Sequence, residues 1–320
     1  MTDAPLASIG ITCFNAADTI GCAIASARAQ DWPHIEIIVV DDASADGSVA
    51  AAEAAAAGDA RVRVLRHERN GGPAAARNTI LAAARGAFIA FFDDDDDSLP
   101  QRVREQIGVL TAYEARTGTR LVACHAAGER HYASGYVKPL PAIGSQGAAA
   151  PQGPGMAEYL LFHRLQPGWF YGSGVPTSSL LARRETFAAV GGFDPALRRV
   201  EDVDFAIRLA LAGGHFIGTE RPLLIQHATD APDKAPEANC AAEIAVAEKH
   251  RAFLEGIGRY HYARQWPRLR YWHFKRRYGR FALTFLAIAL RNPIAATRHL
   301  FRTGPARLRH ERAMRRGTAS

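Results

Sequence analysis

Four short strand-like segments alternate with helix-like segments in the first third of the chain, and this alternation constrains the fold more than any other feature. The strand-like segments occupy residues 8–12, 34–40, 61–65 and 87–92, and helical patterns begin near residues 18, 49 and 74. The second segment is almost entirely apolar and rich in β-branched residues, which is typical of a central strand in a parallel sheet. The pattern therefore predicts an α/β domain in which strands and helices alternate.

Acidic residues follow two of these strands. The segment at 34–40 ends on Asp41 and Asp42, and the segment at 87–92 ends on five consecutive aspartates, residues 93–97. Open parallel sheets bind ligands in the crevice outside the carboxyl ends of their strands, so we expect both acidic groups to line one cleft. For Asp41 and Asp42 the alternative is an ordinary turn. The Asn-Gly-Gly-Pro stretch at 70–73 indicates a tight turn rather than a phosphate loop.

The run of five aspartates concentrates negative charge at one strand end. Adjacent carboxylates repel one another, which raises their pKa values unless a cation compensates them. Alternate residues of a strand share a face, which would place Asp93 and Asp95 on one side, about 6.6 Å apart along the backbone. Oxygen ligands of this kind suit a hard divalent cation, Mg²⁺ or Mn²⁺. The alternative is a solvated acidic loop that turns at residues 98–100.

Several segments, taken in order, resemble the motifs of family 2 glycosyltransferases. They are SIGITCFN at 8–15, IIVVDDASADG at 37–47, NGG at 70–72, ARN at 76–78, FFDDDD at 91–96, GGFD at 191–194, EDVDF at 201–205 and RL at 208–209. The resemblance implies a Rossmann-like A-type glycosyltransferase fold, with a mixed, mainly parallel sheet, over roughly residues 6–225. It also implies a nucleotide-diphosphate sugar donor, a divalent metal and an inverting reaction.

The resemblance assigns roles on the donor side of the site. The positions that match nucleotide-sugar contacts are Thr12, Asn15, Asp42, Arg77, Asp93 and Asp94, and those that match metal ligands are Asp95 and Asp93. His227 is a further candidate for the metal or the diphosphate, because it follows a strand-like segment at 223–225. Capping of strand ends is the structural alternative for Thr12 and Asp42. Arg77 is equally suited to neutralising a diphosphate and to holding the acidic cluster in place. The unbroken aspartate run leaves the register of the metal ligands open by one residue, and the alternative for His227 is a plain hydrogen-bonding role.

Two acids at 201–202 begin a helical pattern in the second half. An inverting displacement needs a carboxylate that takes the proton of the acceptor hydroxyl, and Asp202 aligns with the family's base. Glu201 is expected to orient the acceptor. The alternative is that both acids only complement the dipole at the start of a helix, whose apolar face would be Val203, Ala206, Ile207, Ala210 and Leu211.

The pattern loosens between residues 126 and 174, where glycine and proline are expected to break any regular element. We interpret this region as an acceptor-side loop or lid. The predicted organisation is a catalytic domain at 1–250, with a nucleotide-binding half at 1–125 and an acceptor half at 126–250. A basic, mostly helical C-terminal extension follows at 251–320.

The extension carries an unusual charge. It holds 17 Lys and Arg residues against 2 Asp and Glu, a balance of +15, which leaves −8 for residues 1–250. The uncharged stretch at 281–290 is too short for a membrane-spanning helix, which needs about 20 residues. With its basic flanks it suits attachment to an anionic membrane surface through residues 266–316. The alternative is a core helix packed on the catalytic domain.

Cysteine usage and the N-terminal residues bear on localisation. Four cysteines without metal-ligand spacing and the absence of a basic-then-apolar leader at residues 1–5 predict a cytoplasmic protein, in keeping with peripheral attachment to the cytoplasmic face of a membrane.

The predicted activity is sugar transfer to a glycan or lipid-linked acceptor of the cell envelope, as in polysaccharide biosynthesis. The alternatives are a nucleotidyltransferase that uses the same acidic cleft and a basic nucleic-acid-binding module. No nucleic acid partner is expected.

Overall fold

The structure is a computed structural model that describes residues 4–228, 236–298 and 300–301. Within them the chain forms two compact units. The first contains residues 4–131, 137–157 and 165–227, and the second contains residues 132–136 and 158–164 together with the described residues after 227. The predicted domain boundary at residue 250 stays a prediction.

The first seven elements alternate as the sequence predicts. They are β1 (Ala7–Cys13), α1 (Ile20–Arg28), β2 (Ile35–Asp41), α2 (Ser48–Ala56), β3 (Val62–Arg66), α3 (Pro73–Ala83) and β4 (Phe88–Asp93). Strand β1 lies between β2 and β4 and is parallel to both, and β2 is also parallel to β3. The carboxyl ends of these strands therefore share one edge of the sheet, as expected for the acidic groups that follow β2 and β4.

Strands of both directions complete the sheet. The later elements of the first unit are β5 (Asp96–Ser98), α4 (Arg102–Thr117), β6 (Val122–His131), β7 (Val137–Leu140), β8 (Leu180–Arg183), α6 (Arg184–Ala189), α7 (Glu201–Leu211) and β9 (His215–His227). Helix α5 (Gly153–Phe162) begins in the first unit, and its residues from 158 onward belong to the second. The nine-stranded sheet has the order β3-β2-β1-β4-β8-β6-β9-β5, with β7 beside β6. Strand β8 is antiparallel to β4 and β6, and β5 is antiparallel to β9. The sheet is thus mixed, as the family resemblance implies.

The central strands are buried on both faces. All residues of β2 are buried, as are all but one of β1. In a parallel sheet the helices that connect the strands cover both faces, which explains why the sequence of β2 is almost continuously apolar. Ile20 and Ile24 of α1 pack with Ile9 and Ile37 in one core cluster, and each of the four is 0% exposed.

The region between residues 126 and 174 is more regular than the sequence predicts. Strand β6 continues to His131 and pairs with β7, and α5 lies inside the region. The expectation that glycine and proline break every element here is therefore wrong. At least one of these glycines is required by close packing, because a Cβ on Gly144, where φ is +65°, would lie 2.2 Å from the carbonyl oxygen of Phe216.

The described part of the second unit is helical after residue 235, as predicted for the extension. Its helices are α8 (Pro236–Lys249), α9 (Arg251–Gly256), α10 (Tyr260–Phe274) and α11 (Tyr278–Arg291). Tyr262, Trp266, Leu269 and Ile288 form the centre of its own apolar core. Among the described residues, none of the helices has the length and apolar character needed to cross a membrane.

A buried arginine joins the elements around the end of β4. Arg102, at the start of α4, is 0% exposed. Its guanidinium donates to Ser98 Oγ at 2.8 Å, to the Phe91 carbonyl at 2.8 Å, to the Ser178 carbonyl at 2.6 Å and to Gln106 Oε1 at 3.2 Å. A buried charge is stable only when it is hydrogen-bonded in this way. Arg102 thus holds β4, β5 and the turn before β8 in one arrangement.

We expect Arg102→Met to lower the free energy of unfolding by about 3 kcal/mol, because four buried acceptors lose their donor. Urea unfolding measures the change. Arg104→Met is the matched control on the same helix. The Arg104 side chain is 51% exposed and pairs with Asp31 at the surface, so its loss should change stability by no more than about 0.5 kcal/mol. Equal stability of the two variants would contradict the role of Arg102.

Candidate functional site

The aspartate run folds as a turn between two strands. Strand β4 ends at Asp93, residues 94–95 form the turn, and β5 begins at Asp96. The prediction that one continuing strand brings Asp93 and Asp95 to a common face is therefore wrong. The chain leaves β4 because β5 pairs with β9, where Asp96 lies opposite Gln226 and Asp97 opposite Ile225.

Three carboxylates of this turn converge. Asp93, Asp95 and Asp96 each offer an oxygen, and these oxygens lie within 4.8 Å of one another. Burial, together with the charges of Asp93 and Asp95, raises the pKa of Asp96 to about 8. Burial also raises the pKa of Asp93, with Arg77 opposing the shift and Asp95 adding to it. Hard oxygen donors with such unrelieved repulsion fit a Mg²⁺ or Mn²⁺ ion.

His227 lies outside this group of carboxylates. Its Nε2 is 3.0 Å from Asp97 Oδ2, and both side chains are about half exposed. The plain hydrogen-bonding alternative is the one that this contact fits. The carboxylate that joins Asp93 and Asp95 in the structure is Asp96 instead.

Two buried arginines, Arg102 and Arg77, lie close to the acidic turn. Burial lowers the pKa of Arg102 to about 10, and the nearby Asp96 and Asp93 limit this fall, so the guanidinium stays charged at neutral pH. Arg77 of α3 is 8% exposed, and its Nη2 lies 3.9 Å from Asp93 Oδ1. Two buried guanidinium groups, those of Arg77 and Arg102, therefore lie close enough to the acidic turn to offset part of its negative charge.

Arg77 also reaches the start of α7. Its Nη1 donates to Glu201 Oε1, and Glu201 is 7% exposed. One guanidinium thus contacts both the acidic turn and the pair of acids at 201–202. Glu201, expected to orient the acceptor, has its carboxylate engaged by Arg77 and is largely withdrawn from solvent.

Asp202 differs from Glu201 in its surroundings. Its side chain is only partly buried, and its Oδ1 accepts from the backbone N–H of Val203 at 2.8 Å. Burial, and then the charge of Glu201, raises the pKa of Asp202 to about 6, although Arg77 acts in the opposite direction. A partly exposed carboxylate with a raised pKa is suited to accept a proton near neutral pH.

The segment that leads into α7 is fixed by side chains of the family-like motifs. Asn78 Nδ2 donates to the carbonyl of Phe193 at 2.7 Å, and its Oδ1 accepts from the Phe193 N–H at 2.9 Å. Arg208 pairs with the buried Asp204 at 2.8 Å and donates to the carbonyl of Gly192 at 2.7 Å. The contacts to Phe193 and Gly192 position the loop that leads into α7. The predicted apolar face of α7 is wrong at Leu211, which is 37% exposed.

The residues expected at the nucleoside lie at the carboxyl ends of β1 and β2. Thr12 is paired with Asp93 in the β1–β4 register. The side chain of Asn15 accepts from the N–H of Ala45 at 2.9 Å, which joins the loops after β1 and β2. On the same edge, the N–H of Phe14 donates to Asp94 Oδ2 at 3.0 Å.

Asp42 is engaged within the protein. It is 3% exposed, and its carboxylate accepts from the N–H groups of Gly71 at 2.9 Å and Gly72 at 2.7 Å. His67 Nδ1 lies 2.7 Å from the same carboxylate, and His67 Nε2 lies 2.8 Å from Thr79 Oγ1. These contacts fit the structural alternative for Asp42, in which its side chain caps backbone groups at the strand end. Asp42 therefore holds the Asn-Gly-Gly turn in place beside the carboxyl end of β2.

Sequence reasoning missed three residues that build the site. Asp96 was within the run but had no signal to separate it from its neighbours. Arg102 and His67 belong to none of the motifs identified in the sequence. Only the tertiary structure brings Arg102 near the carboxylate of Asp96 and His67 into contact with that of Asp42. The only available signal was indirect, because buried acids require nearby donors or cations.

Comparison with known proteins identifies the family. The family model of glycosyl transferase family 2 matches residues 8–173, which is more than half of the chain. The succinoglycan biosynthesis protein ExoO of Rhizobium meliloti (strain 1021) is 47% identical over 60 residues, 19% of this chain and 17% of that protein.

Solved structures of S. aureus TarS are similar in fold. The crystal structure of TarS matches with a TM-score of 0.54 and 18% identity, covering 76% of this chain and 39% of TarS. TarS 1–349 in complex with UDP-GlcNAc matches with a TM-score of 0.56 and 19% identity, covering 76% of this chain and 66% of that one. This chain thus spans less than two thirds of the length of each of these proteins. Because the family model matches more than half of its residues, the chain belongs to glycosyl transferase family 2.

Proposed function

We propose that the protein transfers a sugar from a nucleotide-diphosphate donor to a hydroxyl of a glycan or lipid-linked acceptor, with inversion at the anomeric carbon. The observation that carries the proposal is the double contact of Arg77 with Asp93 and Glu201. It links the acidic turn, a candidate for holding the donor diphosphate, to the helix end that presents Asp202.

The donor is proposed from the chemistry of similar proteins. One TarS structure holds UDP and another holds UDP-GlcNAc, so we take a uridine-diphosphate sugar as the first donor to test. Thr12, Asn15, Asp42 and Asp94 are the proposed residues of the nucleoside side, in direct contact or through the loops they hold. The name of ExoO, a protein of succinoglycan biosynthesis, supports a polysaccharide or its lipid-linked precursor as acceptor.

A divalent metal fits the acidic turn. Asp93, Asp95 and Asp96 would hold Mg²⁺ or Mn²⁺, because their oxygens converge within 4.8 Å. When bound, such an ion neutralises the negative charge that develops on a leaving diphosphate. The proposed ligand set differs from the expected one by Asp96 in place of His227.

The fixed charges of the protein organise the rest of the site. Arg77 supplies a cation that stays in place because Glu201 holds it, so Glu201 has a positioning role rather than a contact with the acceptor. An ion-paired, buried carboxylate is a poor proton acceptor. This leaves Asp202 as the general base.

The proposed reaction is a single displacement. The acceptor oxygen bonds to the anomeric carbon from the face opposite the diphosphate, and the bond from that carbon to the diphosphate oxygen breaks. The acceptor proton moves to the carboxylate of Asp202 as the new bond forms. The products are the glycosylated acceptor and the nucleoside diphosphate, and Asp202 then returns the proton to solvent.

Asp202→Asn tests this assignment. We expect kcat for UDP release from UDP-GlcNAc, or from the UDP-sugar that the enzyme turns over, to fall by about 100-fold or more because the base is lost. The dissociation constant of UDP, measured by calorimetry with Mn²⁺, should change by less than about threefold, because the amide preserves the shape of the side chain.

Glu185→Gln is the matched control, since Glu185 is an exposed acid in the first turn of another helix, α6. Its kcat should equal that of the wild type. If the Asp202→Asn variant were as active as this control, Asp202 would serve only the helix dipole. An equal loss of UDP binding and turnover would assign Asp202 to donor binding instead.

The pH dependence of turnover follows from the same residue. The pKa of Asp202 is raised to about 6, so the carboxylate is protonated and inactive as a base below that pH. We expect kcat at saturating donor and metal to be constant above about pH 7 and to fall roughly tenfold per pH unit below about pH 5. A profile that stays flat down to pH 4 would exclude Asp202 as the base.

A further inference from the structure

Helix α11 is apolar on two sides but packs into the second unit with only one of them. Ile288 is 0% exposed and belongs to the core cluster of that unit, and the partly buried Phe281 and Phe285 pack against this cluster. On the other side, Leu283 is 69% exposed and Leu290 is 77% exposed. An isolated exposed leucine needs no explanation, but a row of them marks a contact surface.

The exposed leucines form one continuous stripe. Leu286, 55% exposed, lies three residues after Leu283 and four before Leu290, and this spacing places the three side chains above one another on one helix face. The chain is helical again after Asn292, where Ile294 and Phe301 are 70% and 72% exposed. We call Leu283, Leu286 and Leu290 the leucine stripe.

Basic residues border the leucine stripe at both ends. Arg276, Arg277 and Arg280 precede it and are exposed, and Arg291 and Arg298 follow it and are exposed. No charged residue occurs between Arg280 and Arg291. Among the described residues, no carboxylate within salt-bridge distance pairs with Arg276 or Arg277. The surface around the stripe therefore keeps its positive charge.

We propose that the leucine stripe and its arginines bind an anionic lipid surface, with α11 lying in the plane of the membrane. An apolar helix face buried at the level of the headgroups, with arginines reaching the lipid phosphates, satisfies both features at once. Tyr278 and Phe274, 59% and 45% exposed beside the arginines, suit the interface between headgroups and acyl chains. The 14 residues of α11 rise only about 21 Å, short of a bilayer core of roughly 30 Å.

The charge of the chain favours lipid over a second copy of the protein as the occupant. Residues 251–320 carry a balance of +15. A dimer formed through the leucine stripe would bring two such segments together, and like charges repel at low salt. An anionic membrane instead attracts the same residues.

The proposed lipid-binding segment begins later in the chain than the sequence predicts. Trp266, expected among the interfacial residues, is 7% exposed and stacks on Tyr262 at 5.4 Å in the core of the second unit. The surface begins at about Phe274. The part of the predicted segment after residue 301 lies outside the described residues.

Flotation of the full chain with lipid vesicles tests the proposal. The vesicles are phosphatidylcholine alone or phosphatidylcholine with about 30% phosphatidylglycerol, in about 0.1 M salt. We expect the wild type to float with the anionic vesicles and not with the neutral ones. The triple variant Leu283→Gln, Leu286→Gln, Leu290→Gln should lower the bound fraction about tenfold or more.

Two further variants separate the contributions. The control Val137→Gln, Leu165→Gln removes exposed apolar side chains from the first unit, at 41% and 40% exposure, and should float as the wild type does. Arg276→Glu, Arg277→Glu should also lose binding to anionic vesicles. Circular dichroism checks folding, and the arginine variant tests the surface independently if the leucine variant misfolds.

Three results would overturn the proposal. The first is equal flotation of the leucine variant and the wild type, and the second is equal flotation of the wild type with neutral and anionic vesicles. The third is a wild type that does not float and sediments as a dimer which the leucine substitutions dissociate. That result would assign the leucine stripe to self-association.

Discussion

The contact of Arg77 with both Asp93 and Glu201 is the interaction on which the rest of the site depends. It joins the end of β4 to the start of α7 through α3. A guanidinium suits this position because it is always charged, so it donates to Glu201 while it attracts Asp93, whose Oδ1 lies 3.9 Å from its Nη2. Without it Glu201 would be a buried carboxylate without a counter-charge, and the segment before Asp202 would lose its link to the acidic turn. The same ion pair distinguishes the two adjacent acids, because the Glu201 carboxylate accepts from Arg77 whereas Asp202 is the carboxylate that we propose as the base.

Concentrated negative charge at a strand end is tolerable here because the protein surrounds it with donors and cations. The guanidinium of Arg102 donates to Ser98, Phe91 and Ser178 around the turn. Gln226 donates to the carboxylate of Asp96. This compensation is incomplete, since the pKa values of Asp93 and Asp96 stay raised. The remaining repulsion is what a bound divalent cation would relieve. The protein's donors and cations reduce the repulsion between these carboxylates, and a bound divalent cation would reduce the same repulsion further.

The sequence predicts the first half of the fold well because its signals are local. Continuous apolar runs identify buried parallel strands, and the acids after β2 and β4 locate the ligand-binding edge. Other features depend on distant partners. Five identical residues carry no signal for a turn after Asp93, and only the pairing of β5 with β9 creates one. The burial of Arg102 and the close approach at Gly144 likewise depend on tertiary contacts, and so does the division of Leu283 and Ile288 between two faces of one helix.

We propose that one donor binds between the acidic turn and Asp202, and anomalous scattering from crystals soaked with Mn²⁺ and UDP would locate the ion and the diphosphate. We expect a single Mn²⁺ peak bounded by carboxylate oxygens of Asp93, Asp95 and Asp96, within coordination distance of the diphosphate, with Asp202 facing the position where the sugar would be attached. A Mn²⁺ peak at His227 and Asp97, or a diphosphate bound away from the turn that contains Asp95, would contradict it.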